Sequence, residues 1–562
     1  MRVVGSDRKW RWPALVTGAA AVLPLLALAS PAVRAAPPAR SVQVRDTAQA
    51  TSLGPSNAPV PLLELGTPGG AHFYTLNWPE AEAAKSSGFT MEPSRDGYLR
   101  PQPFAGSQPL YRLHPTGRPA YLVTPSASEK NSLLATGSWT LDGIIGYAAS
   151  SQQPGTVALL RYSNGTDWRL ALAPPAGPDL TQHGYQLDGT VGYVDQESVR
   201  AGAIYFSNWD PGTNPAIIQA GYNFFGRTQP DWWAGVRDYS GGDPAVPQYK
   251  GAWPAADFSD LKPSIGFYDD SQTATLEKQI TQASGAGLDY FEFYWYWDGT
   301  RGQENHDTAE HTFLAASNTD EMDFSIQVCA ASYDPTLTIP VSQYGAATSQ
   351  IVNSYVRQSN YLRANNGAPI VDLCDTRGLG SGDTADVKAF VDMLRSKVDA
   401  AAGLPPLVLV NQDLGTTPAA IDADGDYTAA DYSASLQDSY QDYVSAQHAL
   451  YAAGPPVYIR GIMSRFDERP RYPWAIPNAS DVRWEPDWSF GLYTQAVGNA
   501  LADIKQSTRI SPVDNFLLVY AWNEWDEGGT IEPDAEYGCR FLNILQQQLS
   551  LPGSGCVADP AS

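Results

Sequence analysis

The chain has 562 residues, of which 43% are apolar and 17% charged, enough to bury a sizeable core; this excludes a disordered or fibrous protein. Sixty Asp and Glu against 36 Lys and Arg give a net charge of −24, which repels phosphate backbones and anionic lipid and argues against nucleic acid as a partner. Aromatic residues make up 11%, including 16 Trp, and such flat amphipathic rings serve either a large core or the faces of sugars.

In chain order, Arg2, Arg8, Lys9 and Arg11 precede an apolar stretch, Ala14 to Ala29, and then small residues up to Ala35. This pattern predicts a secretory signal peptide over residues 1–35 and a secreted protein with no membrane segment after cleavage. The apolar run is 16 residues and contains Pro24; an uncleaved anchor, the alternative, needs about 20. Loss of the leader takes the net charge to −28. Residues 36–58, rich in Pro, Ala, Ser and Thr, read as a linker.

A repeat follows over residues 59–198. The strings VPLLEL (60–65), QPLYRL (108–113) and VALLRY (157–162) are 48 and 49 residues apart, and each unit ends on a Gly-Tyr pair: 97–98, 146–147 and 192–193. Leu-Asp-Gly precedes the last two pairs. Three units at a fixed period predict a pseudo-threefold β-rich module whose core forms when the units assemble. A carbohydrate-binding role and an inert spacer are both compatible with it.

From about residue 200 short apolar runs alternate with amphipathic stretches. The runs are 203–209, 288–297, 324–330, 369–375, 406–412, a weaker one near 425–432, 456–463 and 515–525; helix-like segments include 271–287, 383–403 and 433–454. Eight such runs interleaved with helices predict a (β/α)₈ TIM barrel over residues 200–550, in the α/β class, with a tail at 551–562. An open doubly wound sheet is the alternative, but no Gly-rich turn follows the first run. Four cysteines fit an oxidising compartment. Cys329 and Cys374 end two runs that read as neighbouring strands, so they are expected to pair; Cys539–Cys556 would then pin the tail. Four free buried thiols are the alternative.

Barrel enzymes carry their chemistry at the carboxyl ends of the strands. The last run leads directly into Asn523, Glu524, Trp525, Asp526 and Glu527. Carboxylates crowded at the end of a buried strand repel one another and lose hydration, which raises one or more pKa values, as acid–base cleavage of a glycosidic bond requires. Glu524 and Glu527 are three residues apart, so a turn would point both into one cleft, with Trp525 as a stacking wall. A solvated acidic turn is the competing reading.

The string Trp522-Asn523-Glu524-Trp525-Asp526-Glu527-Gly528 through Glu532-Pro533 resembles the signature of glycoside hydrolase family 99, the endo-α-mannosidases, and of WbsX-like domains. Ile265 to Asp270 with residues 276–299, residues 359–375, and Met463 to Arg471 resemble further segments in the same order, so the resemblance spans about 203–545. It implies a retaining mechanism in which Glu524 is the base toward the sugar 2-hydroxyl and Glu527 the general acid. The residues themselves do not separate base from acid. Cys329-Ala330-Ala331-Ser332-Tyr333 departs from the Trp-Ala-Asn of WbsX-like domains, and Glu292 is an unusual acid inside an apolar run. Residues 60–195 resemble a small secreted repeat of the HFYT…GY type, often attached to extracellular enzymes.

Substrate binding is assigned to Trp209 and Asp210 after the first run, Tyr294, Trp297 and Asp298 at the end of the second, Asp467 and Arg471 after the seventh, and Trp522, Asn523, Trp525 and Glu532 in the last-strand string. Asp467 and Arg471 would bind hydroxyls or pair with each other. Asp422, Asp424 and Asp426 lack the Gly and Glu of a calcium loop, and six His show no zinc spacing, so no metal is expected. No cofactor is expected either, since two carboxylates do the acid–base work. The expected protein is a monomeric secreted glycosidase acting on a polysaccharide or oligosaccharide. A glycan-binding adhesion protein and a WbsX-like glycosyltransferase or transglycosylase are the alternatives.

Overall fold

The computed structural model describes residues 59–92, 97–195, 199–210, 231–239, 258, 260–332, 335–411, 417–427, 439–453, 457–471, 482–507, 509 and 511–558. The expected leader and linker lie outside these residues.

In the N-terminal region the sequence repeat is a repeat of strand pairing. The first strand of each unit is central and antiparallel to two others. Leu63–Gly66 pairs with His72–Thr75 and Thr90–Met91. Ser107–Pro115 pairs with Leu122–Thr124 and Trp139–Ala149. Thr156–Ser163 pairs with Trp168–Leu172 and Gln186–Asp195. In the first two units a helix follows the second strand, Trp78–Ser86 and Ala127–Ala135; the third has only a 3-10 turn, Leu180–His183.

Local chemistry starts these helices. Asn77 and Ser126 accept the N–H groups of Glu80 and Glu129 at 2.9 and 3.1 Å, satisfying donors that a helix start leaves open. Each glutamate then receives an arginine from the next unit. Arg112 bonds Glu80 and, through Nε, Asp142 at 2.9 Å; Arg161 bonds Glu129 at 3.0 Å and Asp188 at 2.9 Å. Both aspartates are the extra residue of a β-bulge in the Leu-Asp-Gly strings, and both following glycines, Gly143 and Gly189, sit at φ +142°. The third unit has no helix glutamate, and the charges are reversed: Glu64 stands in the arginine position and takes Arg169 at 3.0 and 3.1 Å. Glu129→Gln is expected to lower stability by about 1 kcal/mol, because Arg161 keeps Asp188 but loses a charged acceptor; the urea midpoint of the purified chain checks this.

The second region is the expected barrel. Eight parallel strands close on themselves in the order β1 (Arg200–Tyr205), β2 (Tyr290–Asp298), β3 (Asp323–Cys329), β4 (Ile370–Asp375), β5 (Leu407–Asn411), β6 (Gly425–Tyr427), β7 (Tyr458–Met463) and β8 (Phe516–Tyr520). Strand β8 returns to β1 through Arg200↔Phe516. Helices α1 (Thr273–Gly285), α2 (Thr308–Ala315), α3 (Tyr344–Ile351), α4 (Thr384–Ala402), α5 (Tyr440–Ala453), α6 (Phe490–Gln506) and α7 (Arg540–Leu549) cover the outside. Strands walled by helices outside and filled inside are buried on both faces, which is why they read as nearly continuous apolar runs. The pairs Cys329–Cys374 and Cys539–Cys556 form disulfides, the first joining the carboxyl ends of β3 and β4. Among the described residues no helix is long and apolar enough to cross a membrane.

The barrel interior holds a polar layer. Tyr427 of β6 donates to Gln327 of β3 at 2.9 Å, and Tyr290 of β2, lying over Gly202 of β1, donates to the Leu517 carbonyl of β8 at 3.1 Å. Glu292 shares the inward face with Tyr290 and accepts from Ser325 at 3.2 Å. Asp372 of β4 faces Glu292 from beyond β3, and both carboxyls are buried.

Candidate active site

Beyond β8 the chain forms a small antiparallel hairpin. Asn523–Glu524 pairs with Gly529–Thr530, and the tip is a 3-10 turn, Trp525–Glu527. Gly528 closes the turn at φ +64°, where a Cβ would meet Asp467 at 3.1 Å. Glu527 closes the 3-10 segment and Glu524, the last strand residue, immediately precedes it. Glu524 and Glu527 are 4% and 8% exposed. The Tyr520 hydroxyl, at the end of β8, donates to Glu527 Oε2.

The loop after β7 clamps this hairpin. Asp467 N–H donates to the Glu527 carbonyl at 2.6 Å, and Arg465 Nε to the Gly528 carbonyl at 2.6 Å. Arg465 is itself held by Asp260. The Asp467 carboxylate takes the Arg469 guanidinium at 2.7 Å through Nε. Arg471 closes the short 3-10 segment Arg469–Arg471, and its side chain lies outside the described residues.

Asn523 ties the hairpin to the start of the barrel. Its side chain accepts the Phe206 N–H at 2.7 Å and donates to the Phe206 carbonyl at 3.1 Å. That grip replaces the sheet bonds of β1, so the strand stops at Tyr205, short of the expected residue 209. Trp209 Nε1 then donates to the Asn523 carbonyl at 3.0 Å, and the Trp209 N–H to Asp270 at 3.1 Å. Asp210 follows at a half-buried position.

An aromatic cluster surrounds the turn. Phe206, Trp209, Trp233, Phe258, Tyr268 and Trp525 pack together, with Tyr294 against them. Trp209 lies 3.9 Å from Trp233 between ring centroids, and Tyr294 lies 6.2 Å from Phe206. Trp209 and Trp525 are 1% and 0% exposed, so they form the fixed floor of this region, where open sugar-stacking walls were expected.

Glu532 is not free to meet a substrate. It accepts from Tyr268 at 2.8 Å, Gln279 at 2.8 Å and Trp525 Nε1 at 3.0 Å. Burial pushes its carboxyl up to about 7, against the three donors that hold it down. Its position fixes the Trp525 ring. Glu532→Gln would leave donors facing a donor, with an expected loss of about 2 kcal/mol in urea unfolding and a shifted Trp emission.

The side chains of three other assigned residues make their contacts elsewhere. Strand phase puts Tyr290, Glu292, Tyr294 and Tyr296 inward, so Trp295 and Trp297 point outward. Trp297 is 3% exposed and donates to Gln343 at 2.5 Å; it is a core residue. Asp298 caps the turn between β2 and the short antiparallel strand Gln303–Asn305, accepting the Thr300 N–H at 2.8 Å and the Arg301 N–H at 3.1 Å. Trp522 packs 5.0 Å from Phe291 in the main core. The structure thus brings Tyr294, Trp209, Asn523, Trp525, Asp467 and Glu532 around the Glu524–Glu527 turn. Trp297, Asp298 and Trp522 do other work. Tyr520, Gln279 and Tyr268 complete the support; all three lie in stretches singled out from sequence, 515–525, 276–299 and 265–270, but none was assigned to the site.

Asp422 and Asp424 are taken by Lys388 and Arg395. Among the described residues Glu304, Asp307 and His311 bring possible ligand atoms within 4.8 Å of one another. Asp307 and Glu304 accept hydrogen bonds from His311 and push its pKa up to about 10.

Comparison with known proteins covers both regions. Residues 65–195 match a domain of unknown function, DUF5648, and residues 344–545 match a family described as Glycosyltransferase WbsX. Two strains of Xanthomonas campestris pv. campestris have an uncharacterized protein WxcX that is 24% identical over 377 residues, 60% of this chain and 50% of that protein. The chain therefore spans about half the length of the curated relatives it matches. Among solved structures, a glycoside hydrolase-like protein aligns over 63% of this chain and 94% of its own at 16% identity, TM-score 0.41. The GH99 endo-α-mannosidase of Bacteroides thetaiotaomicron aligns over 62% of this chain and 95% of its own at 15% identity, TM-score 0.38. The turn bearing Glu524 and Glu527 falls inside the stretch that matches the WbsX family.

Proposed function

We propose that this chain is a secreted glycoside hydrolase that cleaves O-glycosidic bonds of an extracellular polysaccharide, α-mannan-like by the resemblance of its last-strand string. The observation that carries the reading is that Glu524 and Glu527 both lie buried in one clamped turn at the carboxyl end of β8. The leader-like start and two disulfides support an oxidising, extracellular setting.

In this reading the Glu527 carboxyl gives its proton to the glycosidic oxygen as the C1–O bond breaks. Glu524 takes the proton of the sugar 2-hydroxyl, whose oxygen closes on C1 to give a 1,2-anhydro sugar. Water then adds at C1, losing a proton to Glu527, while Glu524 returns its proton to O2. Two inversions at C1 leave its configuration retained. Tyr520 holds the Glu527 carboxyl, and Asp467 fixes the backbone beneath it.

The description of the WbsX family favours one second reading, glycosyl transfer. The same two carboxylates serve it if an acceptor hydroxyl takes the place of water. The test is incubation of the purified chain with α-mannans, α-glucans and mixed exopolysaccharides, measuring new reducing ends. Hydrolysis releases them in step with bond cleavage; transfer changes product length without that release. Binding with neither outcome makes the protein a glycan-binding one.

A further inference from the structure

The end of β2 pairs with the short antiparallel strand Gln303–Asn305, and α2 begins just beyond it, after His306 and Asp307. Glu304 stands opposite Trp297, so it shares the outward face of this hairpin. His311, in the first turns of α2, brings Nε2 to 3.2 Å from Asp307 Oδ2 and 3.4 Å from Glu304 Oε2. Zinc with bonds of about 2.0–2.2 Å sets tetrahedral ligands about 3.3 Å apart, so His311 stands at ligand spacing from both carboxylates.

An ion pair alone has the same spacing, but it leaves two features unexplained. First, Glu304 is aimed from behind. Trp295 Nε1 donates to its Oε1 at 2.6 Å, and Gln350 Nε2 of α3 to its Oε2 at 2.5 Å, the kind of outer support that orients a ligating carboxylate. Second, further oxygens lie buried beside the three groups. Glu310 is 1% exposed and neither of its carboxyl oxygens has a hydrogen-bond partner. The charges of Asp307, His311 and Glu304 all bear on it. The Tyr355 ring lies 5.9 Å from that of His311, and its hydroxyl, buried beside Glu304, forms no hydrogen bond of good geometry. Among the described residues no Lys or Arg pairs with Glu304, Asp307 or Glu310, so three carboxyl groups face one imidazole. A divalent cation supplies the charge this place lacks.

The donor set selects the ion. One imidazole nitrogen and two carboxylates suit zinc, with water as the fourth ligand, whereas calcium takes six to eight oxygens. Asp307 and His311 are 34% and 40% exposed and give the ion and its water a way in. Binding an ion there releases the His311 proton.

We propose that Glu304, Asp307 and His311 form a zinc site that pins the β2 hairpin to α2 and α3. The inward face of the same hairpin carries Tyr294 and Tyr296, so the ion would stiffen one wall of the barrel mouth from outside. The proposal does not depend on the barrel being a hydrolase. The test is calorimetric titration of the full chain, stripped with a chelator and dialysed, with zinc chloride at pH 7.5. One ion per chain is expected. His311→Gln and Asp307→Asn should each bind it about 100-fold more weakly, and Trp295→Phe, which removes only a donor to Glu304, about tenfold. Cobalt chloride should give the visible absorption of a four-coordinate centre in the wild type and not in His311→Gln. Because His311 is partly exposed, that variant should keep the wild-type circular dichroism spectrum and urea midpoint without metal. Absence of a stoichiometric zinc ion in the wild type, or undiminished affinity in both ligand variants, would overturn the proposal.

Discussion

Replacing Glu527 by Gln is expected to lower kcat/KM on a polysaccharide by about 10²–10⁴-fold, the usual contribution of a positioned acid or base, or about 3–5 kcal/mol of barrier. Glu524→Gln is expected to lose a similar amount. The leaving group separates the two roles. A sugar alcohol leaves only if its oxygen is protonated, whereas an activated phenol leaves without help. An aryl glycoside should therefore restore much of the first step in Glu527→Gln and little in Glu524→Gln, because closing O2 on C1 still needs a base. Both substitutions keep side-chain shape at positions 4% and 8% exposed, so urea midpoints should stay near wild type. Equal rescue in both variants would assign the roles differently from the resemblance.

The second large effect concerns stability. Burial pushes Glu292 up to about 7 from 4.5, and burial together with the Glu292 charge pushes Asp372 well above the usual carboxylate range. Two acids facing each other inside the barrel hold their protons better than the same acids in the unfolded chain. Their stabilising effect is fully present below the unfolded pKa and is lost as pH rises through the folded one. For Glu292 the window runs from 4.5 to about 7, and the expected loss across it is about 3 kcal/mol. Asp289, Asp426 and Asp534, pushed up to about 6, and Glu532, up to about 7, add in the same direction. The pair's own share is isolated by Asp372→Asn, which stays neutral and removes the repulsion. Urea unfolding from pH 4.5 to 7.5 should fall less steeply in Asp372→Asn than in wild type; parallel curves would show that the pair does not share its proton this way.

The barrel was legible because parallel strands buried on both faces leave apolar runs in the sequence. Strand ends were less so. The first run was expected to reach residue 209, but β1 stops at Tyr205 because Asn523, far along the chain, occupies both backbone groups of Phe206. The carboxylate turn was legible because its parts are local: a strand, two acids three apart and a glycine at the exit. The inward face of β2 depends on phase. Alternation alone allowed Trp297 to line the mouth, whereas Tyr290 and Glu292 inside the barrel send it to the helix side. Trp209, Trp525 and Glu532 were expected to meet substrate; long-range partners bury them, and no local spacing foretells that Tyr268 and Gln279 will meet Glu532. Asp467 takes Arg469, two residues away, a pairing not foreseen; the Arg471 side chain lies outside the described residues. In the repeat region the period was visible, and so were the two Asp-Gly pairs. Their role as bulges that meet Arg112 and Arg161 required the strand register.

The most direct measurement is ¹H NMR of the first product released from a polysaccharide that the wild-type chain degrades, set beside the same reaction with Glu524→Gln and Glu527→Gln. The account predicts a new reducing end that first appears with the configuration of the bond cleaved and is absent with either variant. A first product of inverted configuration, or release undiminished in both variants, would contradict it.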